Sequence, residues 1–201
     1  MTEKSKRSHG YTTTSTNEPP VPEPTYAEKV RTLVFRNSVG TLSTVSEKHP
    51  DWPFGSMMPY GLTENGRPIF LISTMAMHTH NIQGDQRASL FIALKDTKGD
   101  PLETSRVTLM GNVTKVPEQE IPAARENYLS RYKNASYWVD FDDFDFYRMD
   151  IVDIYFVGGF GAMGWVTVED YNNAEIDPLA RSVKNMPMGV ITLWILTTAF
   201  Q

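Results

Sequence analysis

The stretch Ile69 to Leu94, IFLISTMAMHTHNIQGDQRASLFIAL, decides how the rest of the chain is read. It starts as an apolar strand, breaks at Ser73-Thr74 into a polar segment that holds His78 and His80, and recovers as a second apolar strand from Ala88. In between, His78, Thr79, Asn81 and Ile82 have the pattern of a helical turn or two. A strand that ends in hydroxyls and runs into a helix start is an anion cradle, because the free backbone N–H groups and the positive end of the helix dipole converge there. A phosphate is the guest that suits it. The plainer account is that Ser73 and Thr79 only cap the helix and that the histidines are ordinary surface groups; the clustering of these residues favours the cradle.

Outward from this stretch, order is expected to begin at Thr25, where Thr25-Tyr26-Ala27-Glu28 has capping-box spacing. Tyr26, Val30, Leu33 and Val34 then mark one face of an amphipathic helix running to about Arg36. Gly40 to Val45 and Phe54 to Leu62 read as strands, with a hairpin-type turn at Glu64-Asn65-Gly66 before Ile69. After a polar connection from Lys95 to Glu103, Val107 to Val116 is a long strand whose Gly111 marks a bulge or a close backbone approach. Pro117 to Tyr132 is a helix with Ile121, Ala124, Tyr128, Leu129 and Tyr132 on one stripe. Phe146 to Val157 and Gly164 to Val168 complete the strands. The expected fold is mainly β, a six-stranded antiparallel barrel with flanking helices and not a βαβ unit.

The 201 residues suffice for one domain with tails: 1–24 expected disordered, 25–180 the barrel, 181–201 an apolar C-terminal tail. Lys4, Lys6 and Arg7 precede no apolar run, so the N-terminus does not read as a secretory signal. Met188 to Phe200 is too short to span a bilayer as a helix, which takes about 20 residues. It fits an interface strand, an interfacial anchor or a segment foreign to the fold. A net charge of −5 disfavours a general nucleic-acid surface. The absence of cysteine excludes disulfides, thiolate catalysis and cysteine-based metal sites, and suits a cytoplasmic protein.

Two motifs lose their force in context. Gly159-Phe160-Gly161-Ala162-Met163-Gly164 spells the dinucleotide fingerprint, but strand-like Trp165-Val166-Thr167-Val168 follows where a helix is required, so a glycine-rich bend is expected. The acidic run from Asp140 to Asp153 is interleaved with Phe141, Phe144 and Phe146 and has no glycine for a calcium loop. Solvated carboxylates and inward aromatics account for it, and no metal site is expected there or at His78 and His80.

The order of these pieces resembles the FMN-binding split-barrel superfamily, the pyridoxamine 5′-phosphate oxidase-like proteins, over about Tyr26 to Ala180, and within it the HugZ-like haem-utilisation branch. The resemblance is carried by Ser73 to Asn81 with Arg87-Ala88-Ser89-Leu90, by Arg106 to Gly111, by Asp143-Phe144 with Tyr147, by Val157 to Gly161, and by Asp177-Pro178-Leu179-Ala180. It implies a split barrel that forms a homodimer with its cofactor at the subunit interface. It also implies FMN, held by Ser73, Thr74, His78, Thr79 and Asn81, with Arg106 as the fixed positive charge. The function implied is a flavin-dependent oxidoreductase whose substrate and catalytic acid or base the sequence does not identify. Haem binding or degradation, and a cofactor-free CREG-like interaction protein, are the alternatives. Met77-His78 stands where the oxidases place an Arg-Lys pair, so two fixed cations become one titratable imidazole. HugZ-like chains also continue past Asp-Pro-Leu-Ala into a small haem-ligating domain, where this chain has Arg181-Ser182-Val183-Lys184 and the apolar tail.

Overall fold

A computed structural model describes residues 23–94 and 100–185. The tail expected over 1–24 lies almost wholly outside them, as does the apolar segment Met188 to Phe200. Helix α1 (Tyr26–Arg36) opens on the capping box: the Thr25 hydroxyl accepts from the Glu28 N–H, and the Glu28 carboxylate accepts from the Thr25 N–H at 2.7 Å. Strands β1 (Val39–Val45), β2 (Pro53–Pro59), β3 (Gly61–Leu62) and β4 (Pro68–Ser73) follow, then α2 (Met77–Gly84), β5 (Arg87–Ala93), β6 (Arg106–Lys115), α3 (Ile121–Arg131), β7 (Phe144–Gly159) and β8 (Ala162–Val166). Short helices α4 (Val168–Asn173) and α5 (Pro178–Asn185) end the described chain.

The strands pair antiparallel in the order β2-β1-β5-β6-β7-β4-β3, with β8 added to β7. The two ends of that order are neighbours in the chain. β2 pairs with β1, β3 pairs with β4, and only Tyr60 separates them. One extended run therefore changes partner at Tyr60 and closes the sheet into a barrel. Tyr60 is fully buried, its N–H donates to the Ser38 carbonyl and its hydroxyl to the Val34 carbonyl, which fixes the switch against α1. The architecture is the expected mainly β barrel with flanking helices. The described residues hold eight strands where a six-stranded barrel was expected: Phe54 to Leu62 divides at Tyr60 into β2 and β3, and β8, which matches the strand expected over Gly164 to Val168, pairs with β7 outside the closed order.

Alternation of apolar and polar residues fills the barrel with Leu42, Leu90, Ile92, Leu109, Ile154 and their neighbours, and α1 covers one end with Val30, Leu33 and Val34. A second apolar cluster forms where α3 lays Ala124 and Tyr128 over Ile69, Leu71 and Phe146 of β4 and β7. Gly111 sits at a register shift between β6 and β7, where a Cβ would overlap the Asp150 carbonyl. The glycine-rich segment is the β7–β8 turn, with Gly159 and Gly161 at φ of 129° and 78°, and a strand follows it. No helix of the described residues is long and apolar enough to cross a membrane.

Candidate functional site

The polar end of β4 passes through Thr74 to Ala76 into α2. No side chain caps α2: its N-cap is Ala76, so neither Ser73 nor Thr79 has that role. Thr79 and His80 donate their N–H groups to the Ala76 carbonyl, which leaves Met77 and His78 with N–H groups that have no intrahelical acceptor.

The six residues implied as a phosphate site do different things. Ser73 donates its hydroxyl to the Asp143 carboxylate at 2.6 Å and accepts from the Met75 N–H. The Thr74 N–H donates to the Asp143 carbonyl at 2.7 Å. Thr79 is buried and donates back to the Ser73 carbonyl at 2.6 Å. Asn81 is buried as well, donating to the Thr44 hydroxyl and accepting from the Glu47 N–H, both at 2.9 Å, so its amide ties α2 to β1. Arg106 is elsewhere. It pairs with Val157 near the far end of β7, whereas Ser73 pairs with Phe144 at the near end. The strand rise separates those positions by roughly 40 Å, so within one chain Arg106 and the Ser73 turn do not meet. Arg106 instead donates to the Leu102 and Thr104 carbonyls.

His78 faces a cavity of about 340 Å³ whose walls include Met58, Leu71, Tyr132, Trp138 and Phe144. The imidazole is half-buried there, and burial pushes its pKa below the ordinary histidine value, so it is neutral at physiological pH. The adjoining surface is apolar too, with Met57 and Met75 at 82% and 78% exposure and an aromatic ladder of Tyr137, Phe141 and Phe144 at centroid spacings of 5.8 and 6.4 Å. Phe141 is thus exposed, against the expectation that the aromatics of the acidic run turn inward. The carboxylates of that run are mostly engaged: Asp140 pairs with Arg125 at 2.6 Å, Asp145 with Lys115 at 2.8 Å and Asp150 with Arg67 at 2.9 Å.

A phosphate at the Ser73–Asn81 turn would meet two backbone N–H groups and one neutral imidazole, with the Asp143 carboxylate beside the Ser73 hydroxyl. That is a poor donor set for a dianion. A flat apolar group with an electron-accepting metal fits the same walls better, since neutral imidazole is a nitrogen ligand and the surroundings are aromatic and thioether. Asp143 and the aromatic walls were not legible as part of the site, because Asp143 meets Ser73 across 70 residues of chain.

The chain is similar to several known proteins. The family model described as CREG, β-barrel matches residues 21–173. The structure of a haem-binding protein from Mycobacterium smegmatis is 36% identical with a TM-score of 0.74, over 80% of this chain and 66% of that one. The chloroplastic non-canonical haem oxygenase HOZ of Arabidopsis thaliana is 34% identical over 163 residues, 78% of this chain but 49% of that protein, so this chain spans about half of its length. Human protein CREG1 is 28% identical over 186 residues, 85% of this chain and 84% of the human one.

Proposed function

The chain belongs to the CREG β-barrel family, and from that premise we propose that it is a haem-binding protein, seating one edge of the porphyrin in the cavity beside His78. The observation that carries this reading is the half-buried imidazole, held neutral by burial in a cavity lined by methionine and aromatic side chains, with no lysine or arginine among the described lining residues. His78 is the nitrogen donor that the site offers to iron, and Tyr132, Trp138 and Phe144 offer ring faces to the macrocycle. Haem would supply redox chemistry at its iron; the residues of this chain bind it, orient it and exclude water. The names of the mycobacterial and plant relatives support haem as the ligand.

The cavity is at the small end for a ligand site, so a porphyrin would extend past its mouth. Met57, on that mouth, also begins a row of outward side chains that crosses the sheet in register: Met57, Thr41, Phe91, Thr108, Tyr155, Trp165. We infer that a second copy of the chain covers this face and roofs the cavity.

A flavin is the second reading, favoured by the free N–H groups of Met77 and His78 at the start of α2. The two are separated by titrating the purified protein with hemin and with FMN and recording visible spectra. Haem binding is expected to give a shifted Soret band, and His78→Ala is expected to weaken binding by roughly tenfold or more. Tight FMN binding with no Soret shift would overturn the haem reading, and an unchanged His78→Ala variant would move the ligand out of this cavity.

A further inference from the structure

On the opposite side of α3 from the haem cavity's aromatic wall, Arg31 of α1 and Arg131 of α3 line a second cavity, of about 330 Å³. Arg31 is only 7% exposed. Its guanidinium donates to the Glu64 carbonyl at 3.1 Å and lies over the Tyr171 ring at 5.0 Å. The space it occupies exists because Gly66, at φ 78° in the β3–β4 turn, has no Cβ; a Cβ there would overlap the guanidinium. Arg131 donates to the carbonyls of Val34, Phe35 and Asn37 at the C-terminus of α1. The Nε of each arginine is buried and has no partner among the described residues.

These contacts, with the Phe35 and Tyr60 rings that lie under the Arg131 guanidinium at 5.6 Å, answer the charge only in part. A guanidinium does not shed its proton in a protein, so its burial must be offset by dipoles or by an anion. The carbonyl end of α1 offsets Arg131 in part and the Tyr171 ring offsets Arg31 in part. Neither arginine takes part in an ion pair among the described residues. Glu64, the one carboxylate among the described residues of the cavity wall, is exposed and makes no ion pair with them. Arg181 of α5 is a third arginine lining the same cavity, as Ser130 and Asn127 also do.

We propose that this cavity is a binding site for a small oxyanion, a phosphate or carboxylate group, held by Arg31, Arg131 and Arg181. Arginine forks match both groups in geometry, and three of them on one cavity are mutually repulsive until an anion sits between them. The site is distinct from the cavity at His78 and does not depend on what binds there.

The test uses the full chain without haem: melting temperature and titration calorimetry with sodium phosphate and, separately, sodium succinate, against sodium chloride at matched ionic strength. A saturable stabilisation by phosphate or by succinate beyond that of chloride is expected, the responding salt telling a phosphoryl guest from a carboxylate one. Arg181→Ala, an exposed position that leaves the buried pair intact, is expected to bind roughly ten- to a hundred-fold more weakly. Ser130→Glu, also at an exposed position, places a carboxylate at the cavity and is expected to abolish the response. Equal effects of all three salts on the parent chain would overturn the proposal. So would a phosphate or succinate response that persists undiminished in Arg181→Ala, which would place the anion elsewhere.

Discussion

His78 is the residue on which the choice of cofactor turns, and its protonation is measurable without any ligand. Burial favours the neutral imidazole, so the folded chain holds the proton less tightly than the unfolded chain, whose histidine titrates near about 6.5. The unfolded state therefore binds more protons as pH drops below that value, and stability falls with it. The contribution is fully present above about 6.5 and is lost on acidification through the window between the unfolded and folded values. The melting temperature of the haem-free protein should fall more steeply between about pH 6.5 and 5 than that of His78→Gln, as calorimetric scans across that range would register. A parallel pH profile in the variant would mean that His78 is not desolvated. Haem affinity should also fall on acidification, since a proton and iron compete for the same nitrogen; that decline follows the lowered value of the folded chain and so sets in below about 6.5.

Among the elements, the β6–β7 ladder is the most specified, because Gly111 places the register shift that lets a ten-residue strand pair along a sixteen-residue one. A Cβ at Gly111 would collide with the backbone carbonyl of Asp150, which cannot rotate aside. Gly111→Ala should therefore cost about 3 kcal/mol, the upper part of the range for overpacking, as chemical denaturation would measure; a loss below about 0.5 kcal/mol would show that the ladder can slip. This bulge was legible in the sequence, since a lone glycine inside an apolar strand gives up side-chain packing and so marks a place where backbone must come close or bend. So were α1, from its capping box, and the β7–β8 bend, from the strand pattern after its glycines. The break between β2 and β3 was not, because Tyr60 fits an unbroken strand and only the identity of its neighbours reveals the change of partner. The candidate site divides the same way. Ser73 and His78 stood out by local clustering, whereas the withdrawal of Asn81 into a bridge between α2 and β1 is set by contacts 34 and 37 residues away. Arg31 and Arg131 were invisible for a related reason: an arginine on an amphipathic helix reads as a solvated face until the packing places it inside.

At the scale of the whole molecule, the barrel closes on itself through β2 and β3 yet leaves one broad face bare. The Tyr155 and Trp165 rings meet on it in a tilted contact at a centroid spacing of 4.9 Å, and Phe91 and Trp165 remain 40% and 62% exposed. A row that spans β2, β1, β5, β6, β7 and β8, with Met57, Phe91, Tyr155 and Trp165 interspersed with Thr41 and Thr108, is larger than the scattered apolar residues of an ordinary surface. Its self-complementary pairing in a symmetric dimer would cover it without leaving a further copy to recruit. Phe91 lies near the middle of the row with its side chain turned from the core, so Phe91→Glu should disturb the face and spare the barrel. Sedimentation is expected to show a dimer for the parent and a monomer for Phe91→Glu at micromolar concentration, with the variant melting at a lower temperature because the uncovered face returns to water. Since Met57 belongs both to the row and to the mouth of the His78 cavity, the monomer should also bind hemin more weakly than the parent. A parent that sediments as a monomer would remove the second copy from the proposal. A dimer indifferent to Phe91→Glu would place the contact on another face, and hemin affinity would then have to be explained by the single-chain cavity alone.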